Sequence, residues 1–259
     1  MNDWKNYAAP AGAFKDRVIL VTGAGQGIGQ AAALALAQAG ATVILSGRNE
    51  KKLARVYDEI EAVGGPRPAA IPLDLAKAGE AEFAQLGMVI QKEFGRLDGI
   101  LHAANGFAFL SPLSNQKLDE WVDEFRVNVA APFALTRALS PLLFAAPDAA
   151  VLVLGEHHAL DPKAYWGGYT VSKVAQGAWV KIAADEWEGQ PNTRINWLIP
   201  GPIQSPFRTK SHPGEGKDEN PPTDAIVPSI LYWLGEASLG QSGQTLVFNE
   251  SALNPAAQP

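Results

Sequence analysis

Tyr169 and Lys173 stand four residues apart in "GGYTVSK", within a segment that reads as a helix from Gly168 to Glu188. That spacing sets both side chains on one helix face. An ammonium beside a phenol favours the phenolate, so the pair has the makings of an acid–base couple. Taken alone, the same pair is also an ordinary feature of an amphipathic helix. Upstream the chain reads "GEHH", with Glu156, His157 and His158 in succession. A carboxylate and two imidazoles are metal-ligating groups. Successive residues at a strand exit point to opposite sides, however, which favours no shared metal. The expectation is a solvated polar loop or a His–Glu hydrogen bond, with His102 a further candidate partner, and no metal site.

A second chemistry sits near the start. "TGAGQGIG", Thr22 to Gly29, follows the apolar run "VILVT" and opens an alanine-rich helix. In that context the glycines have distinct uses. Gly23 permits a tight turn, Gly27 lets a phosphate approach the backbone, and Gly29 lets the helix pack on the sheet. Free N–H groups and the dipole at the helix start, around Ile28, then favour a pyrophosphate. The next strand ends in "SGRN". An acid there would bind the ribose hydroxyls of NAD; Arg48 instead suits a 2′-phosphate, so NADP is expected, with NAD second. A solvated arginine opening a helix is the plainer reading. Asp74, followed by Leu75 in "LDL", either contacts the adenine amine or caps a helix.

These groups need a scaffold. Apolar runs recur at "VILVT", "ATVILSG", "AAIPLDL", "LDGILHAA", "AAVLVLG", "TRINWLIPG" and "GQTLVFN", with helical patterns between them. Among these are "NEKKLARVYDEIEAVG", opened by Asn49 as N-cap, and one long helical segment from Ser114 to Leu143. Alternation of strand and helix implies a parallel sheet covered on both faces. The reading is a single α/β Rossmann-type doubly wound domain over residues 1–259, with a mostly seven-stranded parallel sheet. Residues from about 205 to 224, rich in Pro, Gly and charge, read as a mobile substrate loop. Residues from about 250 to 259 read as a tail.

At 259 residues the chain can bury roughly 70–75% of its unfolded surface. Its 47% hydrophobic and 19% charged residues are a globular composition. A net charge of -6 provides no basic face for nucleic acid. The absence of cysteine removes disulfides and thiol nucleophiles and suits a reducing compartment. The first residues carry no apolar signal core, and the apolar runs are short, so a cytoplasmic protein with no membrane partner is expected.

In their order along nearly the whole chain, "TGAGQGIG", "LDL", "RVNVAAPF", "YTVSK" and "RINWLIPGPI" resemble the short-chain dehydrogenase/reductase family. "LDGILH" and "ATVILSGRNEKKL" resemble its YciK-type bacterial subgroup. The resemblance implies hydride transfer between a nicotinamide and a small-molecule carbonyl or alcohol. It casts Tyr169 as the acid that protonates the carbonyl oxygen. Lys173 would lower the tyrosine pKa and bind the nicotinamide ribose. Asn128 would hold a relay water, unless it is simply a buried asparagine bonded to backbone. Pro200, Gly201, Ile203 and Ser205 would cover the nicotinamide amide, unless they form only a strand exit. Ala103 falls in the nicotinamide floor. A homodimer or homotetramer through helix faces is implied.

Two departures stand out. The family's "NNAG" aligns with His102, Ala103, Ala104 and Asn105. The family's substrate-orienting serine lies thirteen positions before the tyrosine, and here that position is Glu156. An ionised Glu156 would oppose charge developing on a carbonyl oxygen. It could escape by turning away, by pairing with His157 or His102, or by staying protonated as a donor. Two function classes remain open: an oxidoreductase with an altered site, and a cofactor-binding, weakly catalytic homologue serving as a sensor or structural partner.

Overall fold

The computed structural model describes residues 3–216 and 219–250. The tail from 251 onward lies outside the described residues. The apolar runs become β1 (Val18–Thr22), β2 (Thr42–Gly47), β3 (Ala69–Pro72), β4 (Gly99–His102), β5 (Ala149–Leu154), β6 (Thr193–Ile199) and β7 (Thr245–Val247). All pair in parallel, in the order β3-β2-β1-β4-β5-β6-β7. β1, β4, β5 and β6 are buried at every position, which explains their unbroken apolar runs. Alternate side chains serve opposite faces. Ile19 and Val21 join the core formed with α1 (Gly27–Gln38), α2 (Glu50–Ala62) and α8 (Val227–Leu234). Val18 and Leu20 join the core formed with α3 (Glu80–Phe94), α5 (Ala131–Ala145) and α6 (Gly167–Glu186). The expected Rossmann-type domain with seven parallel strands is what forms.

The direction of strand addition reverses at β1. From β1 the chain builds out through β2 and β3, then returns to place β4 on the other side. The connections leaving the carboxyl ends of the paired strands β1 and β4 therefore turn to opposite faces of the sheet and leave a crevice between them. At the opposite ends Asp148 forms ion pairs with both Arg17 (2.9 Å) and Arg194, tying β1, β5 and β6 together.

Three local features differ from the sequence reading. The long helical segment begins later, with α4 at Leu118–Phe125, and runs into α5 through a π-helical turn at Arg126–Ala130. That extra residue in the turn rotates Asn128 inward. Secondly, the continuous helix Leu118–Ala145 is long and apolar enough to cross a membrane by length and composition, where only short apolar runs were expected. Half of its apolar window is buried within the domain, packed on α3 and the sheet. Thirdly, the segment read as a loop after Ser205 carries α7 (Pro206–Ser211). Ser205 caps it by accepting the Arg208 N–H at 3.1 Å. Arg208 in turn pairs with Glu215.

Candidate active site

A cleft of about 490 Å³ opens over the carboxyl ends of β1, β2 and β4. Its floor is the glycine-rich turn. Gly23 has φ +70°, and a Cβ there would lie 2.7 Å from the Ala104 nitrogen. A Cβ on Gly29 would lie 2.4 Å from the Gly23 carbonyl oxygen. Both positions need glycine for close backbone approach, and Gly27 needs it for its φ of +57°. Gln26 makes no side-chain cap on α1, so the first-turn amides at Gly27, Ile28 and Gly29 are free to meet an anion. Thr22 Oγ1 accepts from the Ala104 N–H at 3.3 Å and locks β1 to the β4 exit at Ala103.

Arg48 lines the far end, with Ser46, Asn49 and Lys52 beside it and no carboxylate at the β2 exit. Asn49 caps α2 as expected, accepting the Lys52 N–H at 3.0 Å. Asp74 and Leu75 line the same end. The alternative in which Asp74 caps a helix is corrected: α3 starts six residues later, capped at Gly79. Asp74 Oδ1 instead holds the Ala76 N–H of a tight turn at 3.1 Å. Pro200, Gly201, Ile203 and Ser205 line the other wall. The donors and the glycine cradle fit a dinucleotide phosphate chain, and Arg48 and Lys52 suit a further phosphate.

Tyr169 and Lys173 meet at the inner end. The Lys173 Nζ lies 5.7 Å from the Tyr169 ring centroid and donates to the Leu154 carbonyl at 3.1 Å. Burial lowers the lysine pKa to about 8, against an opposing pull from Glu156. The tyrosine departs from expectation. Its pKa rises well above the usual value, because burial and then the Glu156 charge outweigh an Asn105 hydrogen bond. Phe107, Trp166 and Phe207 enclose its ring, at centroid distances of 5.1, 5.8 and 5.4 Å. Phe207 comes from α7, whose Lys210 donates to the Phe107 carbonyl at 2.9 Å.

Glu156 lines the cleft, but its oxygens face the histidines. Oε2 accepts from the His158 backbone N–H (2.7 Å) and meets His158 Nδ1 (2.8 Å). Oε1 lies 2.5 Å from His157 Nδ1, an ion-pair distance without regular hydrogen-bond geometry. Burial would raise the carboxyl pKa; the contacts and charges of His157 and His158 win and hold it well below the usual range. The expectation that these three residues diverge is corrected. Glu156 is the N-cap of a one-turn helix, His157–Ala159, and the turn gathers all three groups within 4.8 Å.

One candidate contact is not made. His102 does not reach Glu156; its Nε2 pairs with Thr136 Oγ1 at 2.8 Å. Asn128 does not line the cleft. Its carboxamide accepts from the Gly106 N–H (2.8 Å) and donates to the Gly106 carbonyl (2.8 Å) and Ser172 Oγ (2.9 Å). It braces the loop under the tyrosine, and the plainer reading of a buried asparagine bonded to backbone describes its side chain. Sequence reasoning missed Glu124, a buried carboxylate on α4 that accepts the Ala108 N–H at 2.9 Å. It also missed Phe107 and Phe207. Their only signal is aromatic residues flanking two loops, which does not distinguish them from core.

His102 supports a pH prediction. Burial lowers its pKa from 6.5 to about 3, so the folded protein keeps it neutral while the unfolded chain takes a proton below pH 6.5. Its contribution to stability is therefore intact above pH 6.5 and falls as pH drops towards 3. At pH 5 the loss is about 2 kcal/mol. Urea melts at pH 8 and pH 5 should show this drop shrinking by about that amount in His102→Asn. An identical pH slope in the variant would refute it.

The match to a family is decided by more than the cleft. A model described as short chain dehydrogenase matches residues 17–216. The chain belongs to the short-chain dehydrogenase family. It is an oxidoreductase of that family and is related to its YciK-type subgroup. The uncharacterized oxidoreductase YciK of Escherichia coli (strain K12) is 36% identical over 240 residues, 93% of this chain and 94% of that protein. A short chain dehydrogenase structure from Pseudomonas syringae is 40% identical with a TM-score of 0.90, covering 94% of this chain and 99% of that one. One from Shigella flexneri 2a str. 301, complexed with NADP, is 35% identical with a TM-score of 0.88, covering 91% and 98%. Another from Escherichia coli CFT073, complexed with NADPH, is 36% identical at the same TM-score, covering 92% and 98%.

Proposed function

We propose that this protein interconverts a carbonyl and an alcohol with NADP(H), using Tyr169 as the proton donor or acceptor and Lys173 as its partner. The observation that carries the reading is the convergence of Tyr169 and Lys173 at the inner end of a cleft whose outer end presents Arg48, with no acid at the β2 exit. Bound NADPH supplies the hydride. Its binding follows from the family and from the relatives solved with NADP and NADPH. The glycine turn and the start of α1 would hold the pyrophosphate, and Arg48 the 2′-phosphate. Tyr169 gives a proton to the substrate oxygen in reduction and takes one in oxidation. Lys173 keeps positive charge near the phenol, which favours its deprotonated form. Phe107 and Phe207, which line the cleft beside Tyr169, favour an apolar or aromatic carbonyl.

Arg48→Ala tests the cofactor assignment. It should weaken NADPH binding by about 1–3 kcal/mol, the usual size of a lost charge-assisted contact, and leave NADH almost unchanged. Titration of both cofactors by fluorescence reads this. Equal affinity of the unmutated protein for NADPH and NADH would refute the phosphate role.

A weakly catalytic, cofactor-binding role is the second reading. The observation favouring it is the ionised Glu156 in the place of a hydroxyl donor. Tight NADPH binding with no turnover on a broad carbonyl panel would select it. In either case the protein is a homodimer or homotetramer. Val122, Phe125, Phe133, Val174 and Ile182 leave apolar side chains exposed along α4, α5 and α6. Sedimentation equilibrium should give two or four chains, and a monomer at micromolar concentration would contradict this.

A further inference from the structure

Gln176 lies one turn beyond Lys173 on α6 and is buried, 1% exposed. Both ends of its carboxamide are engaged. Nε2 donates to the Asn128 backbone carbonyl at 2.9 Å. Oε1 accepts from Trp197 Nε1 at 3.3 Å and from Lys173 Nζ at 3.5 Å. The orientation of the amide is not arbitrary. Indole N–H and ammonium only donate, and a carbonyl only accepts, so one of the two flips satisfies all three neighbours. Trp197 is held in place by two glycines. A Cβ on Gly155 would lie 2.5 Å from its Nε1, and one on Gly177 would lie 2.7 Å from its Cζ3.

We propose that Gln176 is a positioning residue for Lys173, its carboxamide bridging the lysine ammonium to the Asn128 carbonyl where a relay water would otherwise stand. The inference rests on the reading of Lys173 as half of the catalytic pair. A water in that place can accept a proton on one side and release one on the other. A primary amide presents one fixed acceptor and fixed donors, so it orients the ammonium without passing protons on. Lys173 is then resupplied with protons from the cleft, and the helix interior behind it is closed to proton traffic. The other groups around the ammonium are Tyr169 on its own helix, Glu156 at the β5 exit and the Leu154 carbonyl. Glu124 on α4 acts on Tyr169.

The test uses the full chain with lysines labelled at ¹³Cε, and follows the Lys173 resonance against pH. Lys173→Arg assigns that resonance. The native midpoint should fall near 8. Gln176→Met fills the same space but cannot accept from the ammonium. Its midpoint should drop by about one pH unit, the size of one hydrogen bond to a charged group. Gln176→Ala opens room for a water with three polar partners, Asn128 O, Lys173 Nζ and Trp197 Nε1. Its midpoint should stay nearer the native one. A packing role predicts the reverse order, with Met close to native and Ala more disturbed. An unchanged midpoint in Gln176→Met, or a lower one in Gln176→Ala than in Gln176→Met, overturns the proposal. Reduction of 4-nitrobenzaldehyde by NADPH in Tyr169→Phe tests the underlying reading separately. Undiminished turnover there would overturn the catalytic pair whatever the titration gives.

Discussion

Tyr169→Phe is expected to cut NADPH-dependent carbonyl reduction by roughly 10²–10⁴-fold, the usual worth of positioned acid–base assistance, while NADPH affinity stays nearly constant. The separation follows from where the hydroxyl sits. Tyr169 lies at the inner end of the cleft, under Phe107, Trp166 and Phe207. The groups that suit the phosphates lie on the glycine turn and at Arg48. Phe preserves the ring and its aromatic contacts, so a fall in rate cannot be assigned to a collapsed wall. Burial and Glu156 both raise the phenol pKa, so in reduction the native tyrosine carries its proton over the whole neutral range. Oxidation needs the phenolate and should therefore speed up as pH rises, reaching no plateau near neutrality. Equal kcat in Tyr169→Phe and native protein, on any substrate that the native protein reduces, would remove Tyr169 from the mechanism.

Much of this site was legible before the fold. The strand–turn–helix context of "TGAGQGIG" predicted a cradle in which Gly23 and Gly29 tolerate no side chain, and the close approaches to Ala104 and Gly23 give the reason. The sheet was legible because buried parallel strands are written as unbroken apolar runs. What failed depended on turns that the pattern does not encode. The π-turn at Arg126–Ala130 interrupts what reads as one continuous helix, and the buried Asn128 within it bonds to Gly106. The one-turn helix after Glu156 folds three successive side chains together, where an extended strand would have splayed them. Gln176 was invisible for another reason. Two of its three partners, Asn128 and Trp197, lie 48 and 21 residues away in sequence, and its one-turn spacing from Lys173 alone does not set it apart from other helix neighbours.

Glu156→Ser should raise ketone reduction, and the structure sharpens why. Of the three escapes open to an ionised Glu156, the observed one is pairing, with His157 and with His158 in place of His102. Pairing holds the carboxyl pKa well below its usual range, so the group is an anion at neutral pH and has no proton to donate. Its charge already acts on the site, since it raises the pKa of Tyr169. The same field opposes negative charge gathering on a carbonyl oxygen in the transition state. A serine would remove the charge and supply a hydroxyl donor. One such donor is typically worth about 10²–10³-fold, so a gain approaching 10²-fold in kcat/KM for an aromatic ketone is expected. Glu156→Gln removes the charge but keeps an acceptor for the His158 N–H, and should give a smaller gain. The pair of variants separates charge from donation. If Glu156 were a neutral donor, Gln would match the native rate, Ser would bring nothing, and native activity would decline as pH rises through the carboxyl pKa. A native enzyme that is already fast on simple ketones, and slower as Glu156→Ser at every pH, would show instead that the Glu156–His158 pair serves the chemistry of a substrate that a serine cannot handle.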